Sequence, residues 1–202
     1  MTTTAKKTTT KIVKAKKVAT AIPNLPSIPF AFEVLDAASK QRTKAKKIEV
    51  LQRYAHDSIM ALMIWNFDET AISVLPPGEV PYGNTREDNS VTGTLSDKIN
   101  DAVGKMSEMG SNSLGSQDQG KASIRKEYTK FYNFLKGGND KLSSLRRETM
   151  FINILEGLHP LEAEILILVK DKKLTDKYKI TKEIAAAAYP QITWGGRSWL
   201  NH

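Results

Sequence analysis

Apolar residues recur at helical spacing on both sides of a long polar segment. Before this segment, residues 30–83 contain three stretches that predict helices, the first of them short. Thr43 is the expected N-cap of the second helix and Asp57 that of the third, because both side chains accept hydrogen bonds from free N–H groups. Residues 72–75 alternate as is typical of a short strand. The prolines that follow end regular structure.

After the polar segment, residues 123–202 are patterned more clearly. An amphipathic helix is predicted over residues 124–135, and a second over about residues 141–157. His159 then precedes a proline, a residue that is typical of a first helical position. His159 is therefore the predicted N-cap of a third helix. Thr181 caps a last one. The pattern therefore predicts an all-α protein, a single domain of about six helices.

Two segments lack this patterning. Residues 84–122 are rich in Ser, Gly, Asn and Asp and show one weak helical patch around Ile99, Val103 and Met106. Such a long polar stretch predicts a mobile insertion at the surface. Residues 1–29 consist of a Thr-, Lys- and Ala-rich stretch and a proline-spaced linker, which predicts a disordered arm because little apolar surface is available to bury.

Charge is concentrated in the arm. The formal net charge is +8, yet residues 1–20 hold six lysines and no acid, and the rest of the chain holds 24 basic and 22 acidic residues. Flexible cations neutralise phosphates without reading sequence, so DNA or RNA is the expected partner. A solubilising tail, or a segment bound by another protein, is the alternative. The candidate nucleic-acid-binding residues are Lys6, Lys7, Lys11, Lys14, Lys16 and Lys17.

A second basic group surrounds the start of the second predicted helix. It can extend the cationic surface of the arm, but a solvated helix face is the favoured interpretation. Its members are Lys40, Arg42, Lys44, Lys46 and Lys47.

The C-terminus carries two indoles and a guanidinium beside a glycine pair. Trp194, Arg197 and Trp199 can stack on bases or bind a phage or host protein, since Trp and Arg dominate binding hot spots. The simpler interpretation has one or both tryptophans folding back onto the domain.

The sequence offers no catalytic, metal or cofactor site. The chain has no cysteine and three histidines, which leaves neither thiolate ligands nor a histidine cage. Nucleophile-elbow, phosphate-loop and dinucleotide patterns do not occur. Glu162 and Glu164, two residues apart on a helix, point in different directions and suit the helix dipole rather than acid–base chemistry. Because no such motif occurs, we expect a protein that is not an enzyme and takes no small-molecule substrate. No apolar run is long enough to span a bilayer, and we expect the protein to be intracellular.

Four motifs carry a resemblance to a known family. They read ISVLPPGEVPY at 72–82, LRRETMF at 145–151, LEGLHPLEAE at 155–164 and VKDKKL at 169–174. Together they resemble a family of uncharacterised proteins of T4-like phages, especially those of marine cyanobacteria. The resemblance implies a phage protein made in the cytoplasm of an infected bacterium, with no activity or catalytic residue to transfer. The basic arm and residues 84–122 look like departures from shorter members.

These observations favour a non-enzymatic phage accessory protein. Its arm would bind nucleic acid weakly, and its helical body would dock on replication, transcription or packaging machinery. The alternative is a structural or assembly component of the virion, whose arm and insertion would order on assembly.

Overall fold

The computed structural model describes residues 22–78, 80 and 122–195. Within these ranges the chain forms eight α-helices and one 3-10 helix, with no β-strand beyond a single isolated bridge. The helices are α1 Ala31–Ser39, α2 Lys44–Arg53, α3 Asp57–Phe67, α4 Ile124–Glu127, the 3-10 helix Tyr128–Phe134, α5 Ser144–Gly157, α6 Pro160–Lys170, α7 Leu174–Tyr178 and α8 Lys182–Ala188.

The all-α prediction is confirmed, with more helices than the six or so expected. Most of the predicted arm (1–29) and nearly all of the predicted insertion (84–122) lie outside the described residues. None of the helices in the described part of the chain is long and apolar enough to cross a bilayer.

Helix α3 lies at the centre of the core. It is apolar on almost every side, and it packs against α4, the 3-10 helix, α6 and α8. Its Trp65 is fully buried among the rings of Phe131, Phe134 and Phe151, with centroid distances of 5.3, 6.0 and 6.5 Å. This aromatic cluster joins the two halves of the chain that flank the polar segment.

The helix predicted over residues 124–135 is only partly correct. After one α-helical turn the chain tightens into the 3-10 helix, and Leu135 is already extended. A 3-10 helix repeats every three residues, so Phe131 and Phe134 both turn toward the core, where each is fully buried. Burial of these two rings explains the tighter winding.

The strand predicted over residues 72–75 is reduced to one antiparallel bridge, between Ser73 and Leu135. Two backbone hydrogen bonds flank it, one from the Val74 N–H to the Phe134 carbonyl at 3.0 Å and one from the Lys136 N–H to the Ile72 carbonyl at 2.9 Å. The bridge extends no further because the chain on one side enters the 3-10 helix.

Two predicted helix caps are confirmed. The Thr43 hydroxyl accepts a hydrogen bond from the Lys46 N–H, at 3.3 Å. The His159 ring accepts one from the Leu161 N–H, at 3.2 Å. Both side chains satisfy a backbone donor that has no partner within its own helix.

The cap predicted at Asp57 is wrong. Asp57 is the first helical residue, and His56 before it accepts the Ser58 N–H through Nδ1 at 3.1 Å. Burial, followed by the charge of Arg125, lowers the pKa of His56, which favours the neutral ring that can accept. At the last helix, Thr181 occupies the N-cap position, but its side chain makes no capping hydrogen bond.

Helix α7 was not predicted. Its first residue, Leu174, is buried and donates its N–H to the Asn66 side-chain oxygen at 3.1 Å. The helix is flanked by Lys172 and Lys179, whose φ angles of 58° and 53° lie in the left-handed region. Glycine or asparagine usually mark such turns, so two lysines gave no signal that the chain turns there.

Candidate nucleic-acid interface

The arm is attached to the body through Tyr54. The Tyr54 hydroxyl donates to the Pro23 carbonyl at 3.1 Å and accepts from the Leu25 N–H at 2.9 Å. Ile22 and Leu25 also pack, partly buried, against the core. Tyr54 directly follows α2, so these contacts fix residues 23–25 beside the C-terminal end of that helix.

Helix α2 is the basic helix of the body. Six basic side chains and a single acid occur between residues 40 and 53. Arg42, Lys44 and Arg53 are exposed, whereas Lys46 and Lys47 are half-buried. A ten-residue helix is about 15 Å long, so its exposed cations extend from the residues before the helix to the point where Tyr54 anchors the linker.

Several lysines of this group also bind the body. Lys44 pairs with Glu183 of α8 at 2.7 Å, and Lys40 pairs with Asp36 at 2.6 Å. The Lys47 ammonium donates to the Lys179 carbonyl at 2.7 Å, and burial, with the charge of Lys179, lowers its pKa. The contacts of Lys44 and Lys47 join α2 to its neighbours, whereas the Lys40–Asp36 pair lies at the end of α1, so part of the basic group has a structural role.

The predicted nucleic-acid-binding lysines lie outside the described residues. Among the predicted partner-binding residues the same holds for Arg197 and Trp199. Trp194 is described, and it lies half-buried against the core with the Lys182 ammonium 5.8 Å from the centre of its ring. Trp194 therefore contacts the body, as the simpler interpretation expected, and a partner role for it stays a prediction.

Asp68 secures the chain next to Trp194. Its carboxylate accepts from the Thr70 N–H at 2.8 Å, from the Thr70 hydroxyl at 2.7 Å and from the Gly195 N–H at 2.8 Å. Burial opposes ionisation, but the hydrogen bonds from Thr70 and Gly195 outweigh it, and the pKa of Asp68 is lowered. Sequence reasoning did not single out this residue.

Glu162 has a role that sequence reasoning missed. Its side chain is buried and accepts hydrogen bonds from the Ala31 N–H at 3.0 Å and the Ile124 N–H at 2.9 Å. These residues begin α1 and α4, so one carboxyl joins the starts of two helices that are far apart in sequence. Burial is the main cause that raises its pKa.

A signal for this role was present in the sequence. Ile165, Leu166 and Val169 follow Glu162 by three, four and seven residues and share its helix face. All three are fully buried. A carboxylate in an apolar stripe is therefore expected to be buried and to need donors. Glu164 lies on another face and pairs with Lys177, so the two glutamates form no acid–base pair.

Lys170, the last residue of α6, is a buried cation. Its ammonium donates to the Pro76 carbonyl at 2.7 Å, the Gly78 carbonyl at 3.0 Å and the Asp171 carboxylate at 2.6 Å. The Asp171 carboxylate also accepts the Gly78 N–H at 3.1 Å. Lys170 and Asp171 therefore hold the proline-rich turn at residues 76–78.

The charged side chains of Asp68, Glu162 and Lys170 all form hydrogen bonds to backbone groups, and Lys170 also pairs with Asp171. Across the described ranges, no group of three His, Asp or Glu side chains is arranged to hold a metal ion. The geometry supports a stabilising role for Asp68, Glu162 and Lys170. The exposed cations of α2, together with the linker that Tyr54 holds beside Arg53, form the candidate interface.

Comparison with models of known protein families shows which family the chain belongs to. A model described as "Family of unknown function (DUF6433)" matches residues 34–107 and 109–176. The chain belongs to this family. The match includes Tyr54, Glu162 and Lys170, and it covers residues 84–107 and 109–122. The long polar segment is thus aligned with DUF6433 rather than a departure from the family, whereas the basic arm lies outside the match.

No curated protein matches the chain, and no solved structure does.

Proposed function

We propose that this DUF6433 member is a non-enzymatic accessory protein that binds nucleic acid weakly and without sequence preference through its basic arm. One observation carries the proposal: residues 1–20 hold six lysines and no acid, while the rest of the chain is nearly neutral. Lysines that contact phosphates release counterions, which gives dissociation constants of about 10⁻⁴–10⁻⁶ M and a steep dependence on salt.

The geometry of the linker supports this proposal. Tyr54 holds Pro23 and Leu25 at the end of α2, and the Arg53 guanidinium lies 5.8 Å from the centre of the Tyr54 ring, so the linker meets the body next to an exposed cation of α2. A nucleic-acid strand bound by the arm would therefore meet Arg53 next. Contacts to phosphates contribute to affinity but do not distinguish one base sequence from another.

The setting we propose is infection by a T4-like phage of the cyanobacterial type. The four motifs that include LEGLHPLEAE at 155–164 support this origin. The protein would act in the cytoplasm of the infected host, where its helical body docks on replication, transcription or packaging machinery. Trp194 and the residues after it are the proposed contact with that protein partner.

The test is fluorescence anisotropy of labelled single- and double-stranded DNA and of RNA, over a series of salt concentrations. Three forms of the full chain are compared: unchanged, all six arm lysines replaced by Gln, and the same six replaced by Arg. We expect the Gln form to lose at least about tenfold in affinity and the Arg form to retain it, because phosphate neutralisation needs charge and not the lysine shape.

Two results would overturn the proposal. Either the Gln form binds as tightly as the unchanged chain, or no form binds nucleic acid at low salt. In the second case the virion is the remaining place for the protein, and mass spectrometry of purified particles would detect it at fixed stoichiometry.

A further inference from the structure

Two half-buried aromatic rings, those of His56 and Tyr128, contact each other at the surface of the body. His56 is the N-cap of α3 and Tyr128 directly follows α4. Their ring centroids lie 5.9 Å apart, and the ring planes make an angle of 82°. In this edge-to-face arrangement one ring keeps both of its faces uncovered by the other. Part of this aromatic surface is therefore open to solvent.

The body holds both rings in place. The His56 Nδ1 accepts the Ser58 N–H at 3.1 Å and lies 2.8 Å from the Ser58 hydroxyl oxygen. Tyr128 packs against the hydrophobic core, while its hydroxyl bonds to none of the residues that the structure describes. The two rings therefore form a fixed aromatic surface whose position does not depend on the Tyr128 hydroxyl.

A cation lies beside these rings. Arg125 precedes Tyr128 by three positions and shares its helix face. Burial, followed by the charge of Arg125, lowers the pKa of His56, and the opposing effect of Asp57 is smaller. Within the described ranges, Arg125 forms no hydrogen bond and no ion pair. Its guanidinium is therefore available to an anion next to the aromatic surface.

The linker reaches the body at the same turn. Residues 54–56 connect α2 to α3, and Tyr54, the first of them, binds Pro23 and Leu25. Arg53 is exposed, and its guanidinium lies 5.8 Å from the centre of the Tyr54 ring. The turn that carries His56 therefore also carries an exposed cation and the attachment of residues 23–25.

We propose that His56, Tyr128 and Arg125 bind single-stranded nucleic acid, with a base stacked on the aromatic surface and a neighbouring phosphate on Arg125. Aromatic rings bind unpaired bases with little selection among them, because every base has a π-face. A duplex keeps these faces within its own stack, so it gains only the phosphate contacts. The inference rests on the proposed binding by the arm and adds to it a preference for single strands.

The test separates bases from phosphates. It uses two labelled single strands of equal length, one of oligothymidine and one abasic, so that only the first offers bases. Fluorescence anisotropy compares the unchanged full-length chain with Tyr128→Leu, Tyr128→Phe and a matched control, Tyr132→Leu. Tyr132 is also half-buried, and it lies on another face of the 3-10 helix because that helix repeats every three residues.

We expect Tyr128→Leu to weaken binding of oligothymidine about tenfold and binding of the abasic strand less than about twofold. Tyr128→Phe should bind both strands as the unchanged chain does, because the phenyl ring still stacks. Tyr132→Leu should also leave both affinities unchanged. Arg125→Gln should weaken binding of both strands, because its partner is a phosphate.

Equal weakening of both strands by Tyr128→Leu, or weakening of neither, would overturn the inference. The form with all six arm lysines replaced by Gln separates this failure from failure of the proposed function. If that form loses both strands while Tyr128→Leu binds normally, the arm binds nucleic acid and the aromatic surface does not. If that form keeps the oligothymidine binding that Tyr128→Leu loses, the aromatic surface binds by itself and the role proposed for the arm is wrong. Binding of neither strand by the unchanged chain would overturn both.

Discussion

Two buried charged side chains, Glu162 and Lys170, hold segments that lie far from them in the sequence. Glu162 bonds the starts of α1 and α4, and Lys170 bonds the turn at residues 76–78. Both are less than 5% exposed. Removing one partner of such a buried contact leaves the other groups without compensation, so single substitutions at these residues should have large effects.

We predict that Glu162→Gln lowers the free energy of unfolding at neutral pH by about 1–3 kcal/mol. The carboxylate accepts two backbone N–H groups, whereas the amide offers one oxygen, so one buried donor loses its acceptor. Urea denaturation measures the change. The control is Glu156→Gln, at an exposed position of helix α5. Its free energy of unfolding should stay within about 0.5 kcal/mol of that of the unchanged protein.

The effect of Glu162→Gln should also depend on pH. Burial raises the pKa of Glu162 in the folded state above its usual value of 4.5, so the folded protein favours the protonated form. Its contribution to stability is complete below pH 4.5 and falls as the pH rises through the folded pKa. The difference in unfolding free energy between the two proteins should therefore grow as the pH is lowered from 7 toward 4. A difference that shrinks over this range would contradict the direction of the shift.

We predict that Lys170→Met lowers the free energy of unfolding by about 3 kcal/mol, because the Pro76 and Gly78 carbonyls and the Asp171 carboxylate lose their shared donor. Urea denaturation again gives the value. Lys173→Met, at an exposed position nearby, is the matched control and should change stability by less than about 0.5 kcal/mol. Equal effects of the two substitutions would show that the buried ammonium contributes nothing specific.

At the scale of the element, most helices follow from apolar spacing and end signals, and the exceptions have local causes. Helix α3 is recognisable because it is apolar on nearly every side. The 3-10 helix was missed because the burial of Phe131 and Phe134 together is a tertiary effect. Helix α7 was missed because the two left-handed residues beside it are lysines.

Two threonines at helix starts provide the prediction at this scale. Thr43 accepts the Lys46 N–H, whereas the Thr181 hydroxyl is buried without a hydrogen-bond partner. Valine has the same shape as threonine but no hydroxyl. Thr43→Val should therefore cost about 1 kcal/mol of unfolding free energy, and Thr181→Val should cost nothing or stabilise the protein. Thermal denaturation of the two variants side by side distinguishes these outcomes, and equal losses would contradict the difference in capping.

At the scale of the whole molecule, composition predicts the charge of the candidate interface but not its arrangement. The six arm lysines are evident from counting residues. That Tyr54 attaches the arm beside α2 depends on a contact between segments about thirty residues apart, which no local pattern reveals. The partly structural role of Lys44 and Lys47 depends in the same way on where α8 and Lys179 lie.

If the arm and α2 form one surface, both should contribute to the salt dependence of binding. For single-stranded DNA the slope of log K against log salt is about −0.7 for each phosphate contact. Replacing Arg42, Lys44 and Arg53 together with Gln should therefore weaken binding by the full chain and reduce the steepness of the slope by about 2. Fluorescence anisotropy over a salt series measures both quantities.

The control removes the same charge elsewhere on the body. Lys126, Lys136 and Lys141 are exposed and lie outside α2, so their joint replacement with Gln changes the net charge equally. If proximity to the arm matters, this control should retain a steeper slope and tighter binding than the α2 variant. Equal slopes for the two variants would mean that the body contributes only its net charge and that the arm binds phosphates on its own. The position of Tyr54 would then serve the attachment of the arm without directing a strand toward α2.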